Sequence, residues 1–452
     1  MMPMPTTEEL KQRACQEIDQ HKDELIGLAK TVLQNPETGF HEVKTAKLVK
    51  EQFARMGIPF KDNLALTGVK GRITGGAGPG PAISIIGELD SLLVPDHPSA
   101  DVNTGAAHAC GHHCQIGMML GAITGLQNEG VLAHLSGSVV PFAVPAEEFV
   151  QVEKRMSLRD EKRIEFLSGK QELIKLGEFD DVDVAMMCHT ASDMGKGSFA
   201  VGGTSNSHVV KYVEFRGKGA HAGGSPHLGV NALNAAAWSL MAINSNREAL
   251  PEWETVRIHG IVNRGGESVS AVPSDIRLEW RVRSATPEAV VKNSAKVDRC
   301  FKAGAMAVGA DVKITNIPGY LPVINDGNLQ GLFKNNAATV LGKDKVIHVR
   351  ADRNRGGSTD MGDLSSIMPA CHPYTTGATG AGHSKNYVIK DYEQAVLAPA
   401  KIMAMVVIDL LSGSATGAKQ LLNAYEPAMS KDAYLSFQRD RARVEEFNGG
   451  VS

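Results

Sequence analysis

At 452 residues the chain is too long for a single compact core, since domains cluster near about 100–150 residues, so two or more are expected. Apolar residues at 42% and charged residues at 21% are ordinary for a globular protein, and the net charge of -3 gives no electrostatic reason to expect nucleic acid or an anionic membrane as partner. No stretch reaches about 18 uninterrupted apolar residues, and the polar segment Met1 to Gln20 lacks the apolar run of a secretion signal. Six scattered cysteines in so long a chain are not a disulfide framework, so a reducing cytoplasm is the expected setting.

In chain order, Leu10, Ala14 and Ile18, then Leu25, Ile26, Leu28, Ala29 and Val32, recur at helical spacing until Asn35-Pro36-Glu37-Thr38-Gly39 breaks the pattern. A second amphipathic helix is predicted from Lys44 to Met56, with Gly57 as its cap. Strands follow at residues 69–73 and 82–86, the latter an apolar run ending in Gly87-Glu88-Leu89-Asp90. Residues 116–126 read as helix. Residues 136–144 form another apolar strand, ending in Pro145-Ala146-Glu147-Glu148, and residues 182–188 a third, ending at His189. Three apolar strands that each hand off to polar residues are how open α/β sheets present a site at their carboxyl edge.

The middle of the chain changes character. Strand (209–215), helix (230–246), two strands (255–261 and 276–283), helix (287–308) and strand (312–317) follow in the ferredoxin-like order. The fold class is therefore α/β, with an α+β domain at 206–322 inserted between the two parts of a larger domain, 1–205 and 323–452.

The densest cluster of chemistry is His108-Ala109-Cys110-Gly111-His112-His113-Cys114, with three histidines and two cysteines in seven residues. Thiolate and imidazole suit Zn²⁺ and related borderline ions, and Cys110 and His112 can chelate across one glycine-softened turn. Glu147-Glu148 would elsewhere be two solvated charges. Coming off an apolar strand they diverge, so that one can bind metal while the other acts as general base. His189 ends a strand where a lone histidine is more often packed in the core. His383 sits in the glycine-rich loop Gly380-Ala381-Gly382-His383-Ser384. The Met186-Met187-Cys188 stretch reads as strand core, and the charged run Glu153 to Arg163 as a solvated helix or loop.

These motifs, in this order, resemble the M20 metallopeptidases, specifically the amidohydrolase branch of aminoacylases, auxin-conjugate hydrolases and aminobenzoyl-glutamate hydrolases. The resemblance spans nearly the whole chain: Asn35 to Glu42, Gly87-Glu88-Leu89-Asp90, His108 to His112, Pro145 to Glu148, Val182-Asp183 leading to His189, Gly217 to Ala222, Gly356-Gly357-Ser358-Thr359-Asp360 and Gly382-His383. It implies a zinc-peptidase-like mixed-sheet catalytic domain whose insert is a lid and dimerisation domain. It further implies Cys110, His112, Glu148, His189 and His383 as ligands of one or two Mn²⁺ or Zn²⁺ ions, and Glu147 as base. Asp90 would orient a ligand, Arg283 would meet the substrate carboxylate, and His221 of the lid would reach a neighbouring subunit's site in a homodimer or higher homo-oligomer.

The chain departs from the branch at His113, Gln115 and Ser270, and in the longer stretch between Asp90 and His108, all of which bear on substrate choice. The expected activity is hydrolysis of a small N-acyl or N-aroyl amino acid. Hydrolytic deamination of an aromatic amine such as an aminobenzoate is the alternative within chemistry, and an inactive binding or regulatory homologue the alternative outside it.

Overall fold

The computed structural model describes residues 4–354 and 356–451. The chain opens with helix Thr7–Gln20, held at its start by a reciprocal cap: Thr6 Oγ1 accepts the Glu9 amide, and the Glu9 carboxylate accepts the Thr6 amide. Leu10, Ala14 and Ile18 face inward, as their spacing predicts. Helix Val43–Arg55 follows, and Gly57 turns the chain at φ +67.

The main sheet is mixed. Its order is Phe60–Leu64, Gly68–Gly71, Ser138–Val144, Ala82–Glu88, Val184–Met186 and Ala370–Cys371. The last four run parallel, and the first two form an antiparallel edge. Every residue of Ala82–Glu88 and Ser138–Val144 is buried, which is why both read as unbroken apolar runs rather than alternating ones. Helix His112–Leu126 covers one face. It starts earlier than residue 116, because Gly111 in the left-handed region (φ +94) turns the chain straight into it. A side chain at Gly111 would strike Thr190 Oγ1.

The helical segment Ala398–Ala424, kinked at Ser412–Ala415 where the backbone leaves helical geometry, packs beside it. Together with the preceding turn from Glu393 it is, among the described residues, the one helix long and apolar enough to cross a membrane, but most of that length is covered inside the fold.

The strand predicted to end at His189 is shorter than expected. Val184–Met186 belongs to the main sheet, whereas His189–Thr190 pairs with Tyr374–Thr375 in a separate four-stranded sheet.

Residues 207–318 build another sheet, antiparallel throughout, in the order Arg257–Arg264, Asp275–Ser284, Ser207–Arg216, Asp311–Pro318. Helices Ala232–Ser245 and Pro287–Val308 pack on it, burying Val213, Phe215, Leu278, Val290 and Phe301 among others. This is the ferredoxin-like arrangement. One further strand, Arg443–Phe447, pairs with Asp311–Pro318 from the far end of the chain. Its residues are largely exposed and charged, so nothing in its own pattern announces a strand.

Candidate metal centre and active site

The carboxyl ends of the parallel strands deliver Glu88, the Glu147–Glu148 pair and, just beyond, His189 to one edge. His112 is fully buried in the first turn of its helix. Its Nδ1 lies 2.9 Å from the Asp90 carbonyl and donates to it, which leaves Nε2 turned toward Glu88 Oε2 (3.0 Å) and Glu147 Oε2 (3.9 Å). His189 repeats the device: its Nδ1 donates to the Thr190 carbonyl at 2.7 Å, and its Nε2 points at Cys110 Sγ, 3.4 Å away. The Asp90 carboxylate accepts the Glu148 amide at 2.8 Å, so one residue fixes a histidine through its carbonyl and a glutamate through its side chain. His383, in the left-handed region (φ +62), brings Nε2 to 3.3 Å from Glu148 Oε1.

Between Pro145 and Glu147, Ala146 is also left-handed (φ +55), a conformation that costs energy for a residue with a side chain. It is held there by Glu42, which accepts its amide at 2.8 Å. The divergence of Glu147 and Glu148 thus arises in this clamped loop and not from strand pleating. Arg155 ties down the loop beyond by donating to the carbonyls of Glu148 (2.5 Å) and Leu167 (2.8 Å). The charged run is therefore not uniformly solvated, since Arg155 is 1% exposed.

The ligand-type atoms fall into sets whose members lie within 4.8 Å of one another: Cys110, His112 and His189; Cys110, Glu148 and His383; and Glu88, His112 and Glu147. Cys110 belongs to the first two. The cleft above them is lined by Tyr320, Asn325, His372, Arg281 and Arg283 among others. It opens past Phe149 and the two arginines into an outer chamber walled by His259 and Trp280.

Residues 86–406 match the model of peptidase family M20/M25/M40. The chain belongs to this family. Among curated relatives, the Xaa-Arg dipeptidase of Mus musculus is 26% identical over 424 residues, covering 89% of each chain. The N-acetyl-L-cysteine deacetylase of Bacillus subtilis is 28% identical over 326 residues, covering 70% of this chain and 72% of its own. Among solved structures, the aminobenzoyl-glutamate utilization protein of Klebsiella pneumoniae superposes with a TM-score of 0.64 at 18% identity, over 87% of this chain and 97% of that one. A Bacillus subtilis M20 peptidase described as dinuclear metal binding gives 0.61 at 22% identity, over 86% and 98%.

As an M20 enzyme the chain is a metallohydrolase, and its residues suit a metal. His112 Nε2 and Glu148 Oε1 are buried with no hydrogen-bond partner among the described residues, as ligand atoms are before an ion arrives. Burial, with Glu148 beside it, holds the Cys110 thiol well above its ordinary range, so a divalent cation is what would draw its proton off. Burial also pushes Glu148 up, but His383, His112 and the bond to Cys110 outweigh it and keep the carboxylate below its ordinary value. Glu147 goes the other way. Burial and the neighbouring Glu88, Glu148 and Asp360 raise it well above the usual carboxylate range, so it holds a proton more readily than Glu148 does.

Arg283 lines the M20 cleft. His221 does not. It lies exposed in a loop of the ferredoxin-like unit, its Nδ1 accepting the amides of Gly223 and Gly224 at 3.2 and 2.9 Å.

Sequence reasoning missed three groups. Lys170, wholly buried, bridges Glu88 and Asp360 at 2.5 Å each, beneath Glu147. Glu88 and Asp360 stand in motifs that carried the resemblance, but nothing around Lys170 marks it as internal. Arg281 shares the cleft face of Arg283, legible from strand alternation once the register is known. His372, its Nε2 without a hydrogen bond among the described residues, stacks on His189 at 5.8 Å.

Proposed function

We propose that this chain hydrolyses the amide bond of a small N-acyl or N-aroyl amino acid, using Mn²⁺ or Zn²⁺ held by Cys110, His112, Glu148, His189 and His383. The observation that carries the reading is the division of the two glutamates. Glu148 belongs with Cys110 and His383, whereas Glu147 faces the cleft with its proton affinity raised. Two ligand sets sharing Cys110 favour two ions over one. When bound, such ions polarise the scissile carbonyl and acidify a water molecule. Glu147 takes the proton from the attacking water and delivers it to the leaving nitrogen. Asp90 holds His112 and the Glu148 backbone in register while this happens. Arg283 holds the substrate carboxylate. The deacetylase of Bacillus subtilis and an IAA-amino acid hydrolase of Arabidopsis thaliana (24% identical over 359 residues, covering 77% of this chain and 76% of its own) are named for reactions of this kind.

His221 serves the site of a second subunit, paired through the ferredoxin-like unit, where it stabilises the developing oxyanion. Mixing His221→Ala with Glu147→Gln protein then returns about a quarter of wild-type activity, because about half the dimers are mixed and each carries one intact site of two. No recovery after verified subunit exchange would remove His221 from that role.

The overall reading is tested by stripping the protein with chelator, restoring Mn²⁺ or Zn²⁺, and measuring release of free amino acid from N-acetyl and N-benzoyl amino acids, with aminobenzoates in parallel. Ammonia released from an aminobenzoate, with no amide cleaved, would replace it by deamination.

A further inference from the structure

A cavity of about 290 Å³ lies between helix Pro287–Val308 of the ferredoxin-like unit, the sheet beneath it, and the C-terminal segment that forms helix Lys431–Arg441 and strand Arg443–Phe447. Among the described residues its lining shares none with the cleft above the metal centre. The strand register explains what stands there. Lys211 is paired with Asn316 on the next strand, and Asn316 with Arg443 on the one after, so three polar side chains form a row across one face. It is the face that also carries Val209, Val213 and Phe215 into the core.

Lys211 is wholly buried and commits its three hydrogens to Asp298 Oδ1 (2.5 Å), Asn316 Oδ1 (2.5 Å) and Ser294 Oγ (2.7 Å). Those bonds leave its neighbours as donors. With Oδ1 taken, Asn316 has its amide nitrogen to offer, and that atom is buried with no hydrogen bond among the described residues. Ser294 accepts from the lysine, which leaves its hydroxyl hydrogen to be given elsewhere. Arg441 Nε is likewise buried and without a partner among the described residues. All three residues line the cavity. Charge runs the same way. Arg443 reaches Asp298 at 3.4 Å and Glu445 at 2.9 Å, but Lys211 shares the first and Lys302 the second. Three cations on two carboxylates leave one positive charge over, and Arg441 stands against an Asp440 that is exposed to solvent.

A cavity whose uncommitted buried polar groups are donors, beside a positive charge in excess, is completed by an anionic acceptor. Val209, Val290, Val291 and Phe437 supply the rest of the wall, so that anion carries an apolar body and not a shell of water. We infer that this cavity is a ligand site separate from the metal centre, and that it takes a small monocarboxylate with an aliphatic or aromatic body. The carboxylate meets Ser294, Asn316 and the guanidinium of Arg443, and the body lies against the valines and Phe437. An occupant braces the ferredoxin-like unit against the C-terminal helix. Arg441 of that helix donates to the Gly319 carbonyl at 2.8 Å, just past the strand by which the chain leaves the unit. The inference goes beyond the amide-hydrolase reading and does not rest on it.

The experiment titrates benzoate, isovalerate and the neutral isostere benzamide into the metal-restored enzyme by calorimetry, with Cys110→Ser as the control for binding at the metal centre. At least one of the two carboxylates is expected to bind, and Cys110→Ser to retain one equivalent of it per chain. Arg443→Gln should weaken that equivalent about tenfold, the effect of one charge-assisted hydrogen bond, and benzamide should bind more weakly than benzoate by a similar factor. Val291→Trp should abolish it by filling the cavity. Val291 is 39% exposed and the Arg443 side chain 42%, so both changes are made at the rim and leave the core in place. Binding that is lost in Cys110→Ser and untouched by Val291→Trp would belong to the metal centre alone and overturn the inference. Equal affinity for benzamide and benzoate, or no saturable binding of either carboxylate, would overturn it as well.

Discussion

Two clusters of buried carboxylates lie side by side at the carboxyl edge of the main sheet, and the chain treats them in opposite ways. In the inner one, Glu88 and Asp360 share the ammonium of Lys170, Ser168 donates to Asp360 at 2.8 Å, and Gln115 donates to Glu88 at 2.9 Å. That cluster is closed: its countercharge is part of the sequence. In the outer one, Glu148 faces Cys110 and His383 with an oxygen that has no hydrogen bond among the described residues, and His112 presents a nitrogen likewise without one. That cluster is open, and its countercharge must come from outside. Glu147 stands between them, raised by carboxylates on both sides. The comparison teaches that a buried acid is not by itself a sign of metal. What separates the two clusters is whether the chain supplies the cation, and Gln115, a departure from the family pattern, is one of the groups that closes the inner one.

The largest effect expected from this contrast is on turnover. Glu147→Gln should keep its full metal content and lose about 10²-fold or more in kcat, because an amide cannot take the proton. Glu148→Gln should lose metal first, with activity following. Metal per chain by mass spectrometry, measured beside kcat, separates the two. The opposite pattern would exchange the roles of the pair.

Next in size is a test of closure itself. Lys170→Met removes the internal cation and leaves two buried carboxylates unpaired, a change that costs about 3–5 kcal/mol. The loss should be the same with and without added metal. Cys110→Ser belongs to the open cluster and should do the reverse: metal per chain falls, whereas the apo protein unfolds at the wild-type temperature. If Lys170→Met protein were restored to wild-type stability by Zn²⁺ or Mn²⁺, the inner cluster would itself be a metal site, and the distinction between the two would collapse.

How much of this was legible beforehand follows the same line. The open cluster was readable because its residues are chemically unusual together, as in Cys110-Gly111-His112, and because apolar runs such as 82–86 and 136–144 announce buried strands that must end somewhere. The closed cluster was half readable. Glu88 and Asp360 sit in recognisable motifs, but Lys170 in Ser168-Gly169-Lys170-Gln171-Glu172 looks like any surface lysine, and only tertiary packing buries it. Arg155 hid in a charged run for the same reason. The strand Arg443–Phe447 was missed because its partner Asp311–Pro318 supplies the apolar residues and it supplies mainly backbone hydrogen bonds. The start of the helix at His112 was placed four residues late, since a left-handed glycine turn is invisible to apolar periodicity.

Asp363, one helical turn after Asp360, shows a third way to bury a carboxyl group, and yields the smallest effect. Among the described residues no cation lies within ion-pair distance of it. Tyr434 donates to it at 2.9 Å and Gln438 at 2.8 Å, both from the C-terminal helix Lys431–Arg441. Burial and the negative charge of Asp360 push it up to about 8 from an ordinary 3.8, so here the chain supplies the missing positive charge as a retained proton. The sign of the pH dependence follows. Between about pH 4 and pH 8 the folded state keeps a proton that the unfolded state has lost, so this group's contribution is fully present below pH 4 and is lost as pH rises through 8. Asp363→Asn replaces the acid with a neutral isostere whose oxygen still accepts from Tyr434 and Gln438. Relative to wild type the variant should gain at least about 1 kcal/mol between pH 5 and pH 8.5, the worth of one unit of pKa shift. Urea midpoints at the two pH values measure this. Parallel profiles for the two proteins would mean that Asp363 is ionised in the fold, and that Arg441, which lies near enough to lower its proton affinity, compensates it as Lys170 compensates Asp360.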